Sequence, residues 1–412
     1  MINIIGAGLA GCEAALQIAK QKINVNLYEM RPNVETGAHK TDKLAEFVCS
    51  NSLGNKQITN ASGLLKAELE FLGSFLIKTA KQFQVNAGDA LAIDRALFSN
   101  EITKLINDNP YINLIREEKT NINKDEITII ASGPLTSEKL TQSIIELTEE
   151  ENLAFFDAIA PIVERDSIDF SKAFIQNRYD KGEACYINCP MNKDEYLKFY
   201  DYLINAPKIE LKSFEKDAMF FESCMPVEVM ASRGVDTLRY GPLKPVGLID
   251  KRTNIENYAV VQLREDNLAK SLYNLVGFQT NLKWSAQKEL IHLIPGLENA
   301  NIVKYGVMHK NIFINSPKVL NNTLNLEKYE NVFFAGQITG TEGYTESIAG
   351  GLLAGISFQE HKKFQPINSN WGIVESIELP KAQRKNKKLK NELLATRSLE
   401  TLKELFVINS SL

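Results

Sequence analysis

The sequence predicts an α/β fold: a Rossmann-type parallel sheet contributed by both ends of the chain and interrupted by an α+β insertion. Three observations lead there. The N-terminus runs strand, glycine turn, helix, strand, acid. A second glycine-rich strand, turn and helix occupies residues 331–351, and the stretch between them has a short, mixed apolar pattern.

Ile2 to Ile5 forms the first buried strand, and Gly6, Gly8 and Gly11 complete G-x-G-x-x-G at the mouth of a helix whose inward face includes Leu16 and Ala19. A second strand, Ile23 to Tyr28, ends at Glu29. The glycines let backbone approach a pyrophosphate, the helix N-terminus stabilises its charge, and the acid accepts from a ribose hydroxyl. Cys12 sits inside that helix and is expected to be packed core. This fingerprint alone leaves a permanently bound flavin and a transient nicotinamide equally open.

The segment NVFFAGQITGTEGYTESIAGG predicts a strand Val332 to Ala335, a glycine turn and a small-residue helix beginning near Tyr344. Its glycines keep side chains away from a cofactor, and Gly336, Gln337, Gly343 and Tyr344 are its candidate cofactor-binding residues. Ile127 to Ala131 is a further strand, followed by a turn and a helix over 137–159 capped by Ser137. Two helices are expected near 192–204 and 207–217 inside an insertion placed at 186–302. The cofactor domain therefore spans 1–185 and resumes at 303–380. A basic tail, 381–412, carries two helical segments with a break around Thr396.

Composition narrows the function classes. With 412 residues, 44% hydrophobic and 24% charged, the chain is ordinary globular matter for two or three structural units, not a disordered or coiled-coil chain. The longest apolar run, Phe71 to Ile77, is interrupted by Gly73 and Ser74, so no membrane span is expected. The opening MINIIGAGLAG lacks a basic leader, which makes a cytoplasmic location the expectation. A net charge of -4 requires any nucleic acid to be held by a local basic patch. KAQRKNKKLK at 381–390, with six basic residues in ten, supplies either that patch or a plain solvated helix face.

Five cysteines, at 12, 49, 185, 189 and 224, suit reduced thiols rather than a disulfide framework. Cys185 and Cys189 are spaced C-x3-C with no second pair and no nearby histidine, so no metal site is expected. Cys49 lies in a polar turn, AEFVCSNSLGN. Cys224 precedes Pro226, with Arg233 and Arg239 nearby. Each reads equally as an activated nucleophile or a quiet thiol.

The blocks MINIIGAGLAGCEAALQIA, CSNSLGNKQITNASGLLKAELEFLGS, ASGPLTS, ESCMPVEVMASRGVDTLRYGPLKPVGL, KYGVMHKNIFINSP and FAGQITGTEGYTESIAGG, spread over residues 1–351, closely resemble the folate- and FAD-dependent RNA (uracil-5-)-methyltransferases. That resemblance implies a glutathione-reductase-like FAD-binding domain with an insertion domain. It implies transfer of a methylene carbon from methylenetetrahydrofolate to uridine C5 in RNA, with NADH or NADPH as reductant. The family's nucleophile falls on Cys224, and its second cysteine, for proton removal or protection of the nucleophile, falls on Cys49. Uracil C5 becomes nucleophilic only after a thiolate adds to C6, and the charge that develops on O4 needs donors, for which Arg233 and Arg239 are candidates. Asn51, Ser52 and Lys244 are candidates to orient folate or base.

The implied RNA is by default the tRNA T-loop uridine. One departure, together with the lysine-rich tail, keeps a 23S ribosomal RNA uridine open: the family commonly reads CSNSLRG where this chain reads CSNSLGN, so an arginine expected after Leu53 is replaced by Gly54 or shifted away. A non-catalytic, flavin-containing RNA-binding protein is the third reading. No obligate protein partner is inferred.

Overall fold

Four strands from the first 130 residues and one from the C-terminal third form an all-parallel five-stranded sheet. Its order is Val332–Phe334, Thr128–Ile130, Ile2–Ile5, Val25–Tyr28, Ile112–Ile115. The computed structural model describes residues 1–150, 153–180, 183–209, 225–357 and 386–410. Strands reading INII, TII and VFF are continuous apolar runs because a parallel sheet is covered on both faces. Phe334 pairs with Ile130, which pairs with Ile5, so the late strand lands beside the first βα unit.

The helix Leu9–Lys20 packs against the glycine helix Tyr344–Ser357. A methyl group on Gly351 would stand 2.2 Å from the Ala10 carbonyl oxygen, so only glycine permits this backbone contact. Glu13, buried in the first helix, turns its carboxylate to the start of the helix Phe75–Gln82. There it accepts from Ser74 Oγ and Leu76 N, both at 2.9 Å.

The second sheet has six strands, in the order Phe174–Ile175, Ile187–Met191, Ala259–Glu265, Leu272–Leu275, Ile162–Glu164, Ile302–Lys304. All its pairings are antiparallel. Helix Lys193–Asn205 covers it with Tyr196, Phe199 and Leu203, against Cys189, Val261 and Phe278. The expected boundary at 186 falls inside this sheet, between two paired strands. Strands of two and three residues are too short to show alternation in sequence, so the sheet's beginning was not visible there.

Two expected helices differ. The one placed over 137–159 starts as expected, with Ser137 Oγ accepting from Leu140 N, but ends at Thr148, where Glu149 takes a left-handed conformation (φ 56°). Leu153–Ala158 is instead a strand paired with Met308–Phe313. Its aromatic, apolar sequence favours a strand once the helix has stopped. The helix near 192–204 is present, fixed by a capping box between Asn192 and Glu195. That expected over 207–217 lies largely outside the described residues; Lys208 forms an isolated β-bridge with Leu282.

Near the C-terminus, Lys387–Ser410 is one continuous helix with no break at Thr396. A threonine costs a helix only a few tenths of a kcal/mol to about 0.7, and Leu394, Ala395 and Leu402 are buried around it. The helix packs on Ala61–Phe71, where Ser398 donates to Glu68 at 2.5 Å and Asn391 donates to the Thr59 carbonyl at 3.0 Å. Of the basic stretch, residues 381–385 lie outside the described part, while Lys387, Lys388 and Lys390 begin this helix. Among the described residues no helix is long and apolar enough to cross a membrane.

Burial raises the Glu68 carboxyl from 4.5 to about 7, against the lowering effect of the Ser398 hydroxyl. The docked state therefore holds a proton that the undocked carboxyl releases. That contribution is fully present below pH 4.5 and is lost as pH rises to about 7. We expect backbone amides of 387–404 to exchange faster at pH 8 than at pH 5.5 after correction for intrinsic rates. Glu68→Gln should flatten this dependence.

Candidate active site

A cleft opens at the carboxyl ends of the parallel strands, where Gly6, Glu29, Ser132 and Ala335 follow the strand ends. In parallel α/β sheets this is where ligands bind. Gly8 caps the helix Leu9–Lys20 without a side chain, and a methyl on it would meet nothing within 4 Å. The helix's first-turn N–H groups therefore face the cleft without obstruction. Gly11 lies one layer deeper: a methyl there would stand 1.8 Å from the Gly6 carbonyl oxygen. Cys12 is fully buried and donates to the Ala7 carbonyl at 3.2 Å. Burial pushes its thiol far up, as suits a packing residue.

Glu29 lines the same cleft. Its Oε1 accepts from Arg31 N and Nε at 3.0 Å each, and Oε2 accepts from Arg31 Nη2 at 3.2 Å. Burial by itself would raise this carboxyl, but the Arg31 contacts outweigh it and hold the group below the usual range. Arg31 is fixed in turn by Glu46 and the Thr41 carbonyl. An ionised acid thus stands at the end of the second strand, where a ribose hydroxyl would be met. These features fit a dinucleotide: an open helix start for the pyrophosphate, an acceptor for the ribose, and backbone close enough to touch both.

On the opposite wall, Gln337, Tyr344 and Ser347 line the cleft. Gly336 and Gly343 do not line it; both have positive φ (76° and 111°) and shape the turn that precedes the glycine helix. Of the eight candidate cofactor residues, Gly6, Gly8, Glu29, Gln337 and Tyr344 face the cleft, and Gly11, Gly336 and Gly343 support it from behind.

Tyr344, a candidate cofactor-binding residue, lines the cleft and also reaches beyond it. Its ring lies against Phe47 (centroids 4.4 Å apart), and its hydroxyl reaches the loop carrying Cys49. The Cys49 and Ser50 N–H groups donate to Tyr344 Oη at 3.0 and 3.4 Å, and Cys49 Sγ lies 2.9 Å from the same oxygen. Burial, followed by the adjacent Cys49, raises the phenol well above its ordinary value. One side chain thus joins the cofactor cleft to a thiol 295 residues away in sequence.

Asn51, a candidate folate contact, is fully buried and braces the loop, donating to the Ile93 and Glu265 carbonyls at 3.2 and 2.9 Å. Arg239, a candidate donor to uracil O4, is held by its own surroundings through two of its nitrogens. Its Nε donates to the Tyr258 carbonyl, its Nη1 meets Asp236 at 2.6 Å, and its guanidinium lies over the Tyr258 ring. The cations around the Cys49 loop were not identified from sequence: Arg264 donates to Ser50 Oγ at 3.0 Å, Lys304 donates to the Val48 carbonyl at 3.3 Å, and Arg95, paired with Asp266 at 2.8 Å, acts electrostatically on Tyr344. Their one sequence signal is a charge inside an apolar run, as in VVQLRED and NIVKYG.

Cys224 lies outside the described residues. The chain is described again from Met225, and the short helix Val227–Ala231 is anchored by Glu228, which accepts from Thr280 Oγ1 and Asn281 N at 2.9 and 2.7 Å. Cys185 and Cys189 are buried, with Cys185 donating to Asn177 Oδ1. Among the described residues there is no group of three histidines, cysteines or acids placed to hold a metal ion.

A glycine turn, an open helix start and an acid at the carboxyl ends of a parallel sheet, with a second sheet beside it, define a dinucleotide-fold protein of the glutathione-reductase-like class. The comparisons with known proteins narrow that class. Residues 1–366 match the family described as "Glucose inhibited division protein A", and the chain belongs to that family. A protein of Caldicellulosiruptor bescii named "Methylenetetrahydrofolate--tRNA-(uracil-5-)-methyltransferase TrmFO" is 52% identical over 430 residues, covering 98% of each chain. The protein of that name from Brevibacillus brevis is 52% identical over 428 residues, covering 97% of each. Among solved structures, Aquifex aeolicus GidA superposes with a TM-score of 0.65 at 16% identity over 87% of this chain. The present chain spans 63% of that protein's length, and the likeness speaks to the fold alone.

Proposed function

We propose that this protein methylates C5 of an RNA uridine, taking the carbon from methylenetetrahydrofolate and using bound FAD with NADH or NADPH as reductant. The observation that carries this reading is the junction at Tyr344, which lines a cleft fitted to a dinucleotide and whose hydroxyl lies 2.9 Å from the Cys49 sulfur. Half identity over nearly the whole length of relatives that bear the methyltransferase name supports it.

In this reading the Cys224 thiolate adds to uracil C6, and C5 attacks the folate-derived carbon as an enolate. Cys49 removes the C5 proton, the enolate so formed expels the tetrahydrofolate nitrogen to leave an exocyclic methylene, and hydride addition to that carbon restores the ring's double bond as Cys224 departs. FAD, when bound, supplies the hydride that completes the methyl group. The protein's own work at the cleft is to hold the pyrophosphate at the Leu9–Lys20 helix start, the ribose at Glu29 and the ring end beside Tyr344. The target base must leave its stack to reach two thiols. Lys387, Lys388 and Lys390 offer phosphate contacts, whose strength would fall with salt.

The tRNA T-loop uridine is the first choice of substrate. A uridine of 23S ribosomal RNA is the second reading, and one observation favours it. Gly54, standing where the family commonly has arginine, has a left-handed backbone (φ 79°) and lines a separate cleft with Lys56, Arg178 and Tyr179, where an RNA backbone would meet a different set of cations.

Purified protein given methylenetetrahydrofolate and NADH or NADPH should form 5-methyluridine in tRNA transcripts at a single T-loop position. Product confined to 23S ribosomal transcripts would move the substrate to the second reading. Flavin bound without product in either RNA would leave a binding protein and refute the enzymatic reading.

A further inference from the structure

We propose that Tyr344, Arg95, Arg264 and Lys304 act together as positioning residues that hold the Cys49 sulfur as a thiolate. The argument begins with protons. Tyr344 Oη already accepts two backbone N–H groups, from Cys49 and Ser50. With both lone pairs engaged, what the oxygen has left for Sγ, 2.9 Å away, is its own O–H. The sulfur is then the acceptor, and an acceptor sulfur facing a neutral donor is favoured in its ionised form. Burial keeps the phenol protonated, so it donates rather than competing for the proton.

The second part concerns charge behind the loop. Arg264 and Lys304 come from strands of the six-stranded sheet and touch residues 50 and 48, on either side of Cys49. Arg95, from the start of the helix Arg95–Asn107, is electrostatically coupled to both cations and to Tyr344. Arg95 Nε and Nη1 and Arg264 Nε are buried with no hydrogen-bond partner among the described residues.

The facing groups offset part of this charge. Asp266 pairs with one Arg95 nitrogen at 2.8 Å and also acts on Arg264 and Lys304. Asp94 is used by the Leu97 and Leu268 N–H groups. Glu46 is paired with Arg31, and Glu265 meets Lys270. Tyr186 is a neutral partner of Arg264. Burial takes His39 down to about 4, which leaves it uncharged near neutrality. Cations held out of water with only partial counter-charge are costly, and a thiolate on the Cys49 loop adds to what Asp266 supplies.

For the proposed reaction this gives Cys49 its role without a further base. The C5–H bond breaks, the proton passes to Sγ, the electron pair stays with the pyrimidine ring as its enolate, and sulfur undergoes no redox change. That role rests on the functional reading above, but the thiolate itself can be measured without RNA or folate.

The test is the pH dependence of iodoacetamide alkylation of the full-length protein, followed at Cys49 by peptide mass mapping. Cys49 should react with an apparent pKa below the roughly 8.5 of a free cysteine. Tyr344→Phe and Lys304→Met should each raise that value by about one unit and slow the reaction at pH 7 about tenfold, leaving the high-pH rate unchanged. Arg264→Gln should do the same, and Arg264→Lys should restore the parent profile. Burial draws Lys304 down to about 8, so part of the effect should fade above that pH in the parent.

Cys12, Cys185 and Cys189, all buried, report unfolding: a variant in which they alkylate is set aside in favour of the others. Titration of Cys49 like a free thiol, or folded variants with unmoved profiles, would overturn the inference. A low-pKa Cys49 in a protein that methylates no RNA would uphold it and refute the functional reading. Methylation with an ordinary Cys49 titration would do the reverse.

Discussion

Gly11→Ala should purify without flavin, at least 100-fold weaker in FAD binding than the parent, and with a lower melting temperature. The cause is local. A methyl on Gly11 would lie 1.8 Å from the Gly6 carbonyl oxygen and 3.4 Å from Ala131 Cβ, so one contact is with backbone, which cannot rotate away. Relief requires the helix Leu9–Lys20 to move off the strand Ile2–Ile5, and that helix also packs against the glycine helix Tyr344–Ser357. Overpacking of this kind costs about 1–3 kcal/mol in folding, and any shift of the helix start misdirects the N–H groups that face the pyrophosphate. Gly8→Ala gives the contrast. With nothing within 4 Å of the added methyl, the fold should be undisturbed while the methyl occupies cofactor space. Flavin absorbance per polypeptide and thermal melting, measured on both variants, separate the two effects.

Cys224→Ala should abolish 5-methyluridine formation, a loss of 1,000-fold or more, since without addition at C6 the ring carbon at C5 is not a nucleophile. Cys49→Ala should lose product by about 100-fold or more, the range expected for a missing general base, but at a later step. The bond between Cys224 and the pyrimidine forms in that variant and is not released, so a covalent protein–RNA complex should survive denaturing electrophoresis. No such complex should form with Cys224→Ala. Finding the complex in the Cys224 variant and not in the Cys49 variant would exchange the two roles.

The parts of this molecule legible in its sequence are those whose physics is local. Gly6, Gly8, Gly11 and Glu29 lie within one βαβ unit, so spacing alone carries their meaning, and the structure lines the cleft with three of them and backs it with the fourth. The surroundings of Cys49 were not legible. Tyr344, Arg264 and Lys304 reach its loop from 295, 214 and 256 residues away, and no periodicity encodes contacts at such separations. Arg239 shows what spacing leaves out: a nearby arginine suggested a catalytic donor, and its Nε and Nη1 are engaged by the Tyr258 carbonyl and Asp236. The strand Leu153–Ala158 was absorbed into a helix because short apolar segments carry no decisive period. Only the left-handed Glu149 before it and the pairing with Met308–Phe313 settle its conformation.

The origin of the methyl carbon tests the central claim most directly. With methylenetetrahydrofolate carrying ¹³C in its methylene group, plus NADH or NADPH and an RNA transcript, the nucleoside digest should contain 5-methyluridine heavier by one mass unit. Unlabelled S-adenosylmethionine in the same mixture should contribute nothing. 5-Methyluridine of ordinary mass, or none in any RNA offered to flavin-loaded protein, would contradict the account.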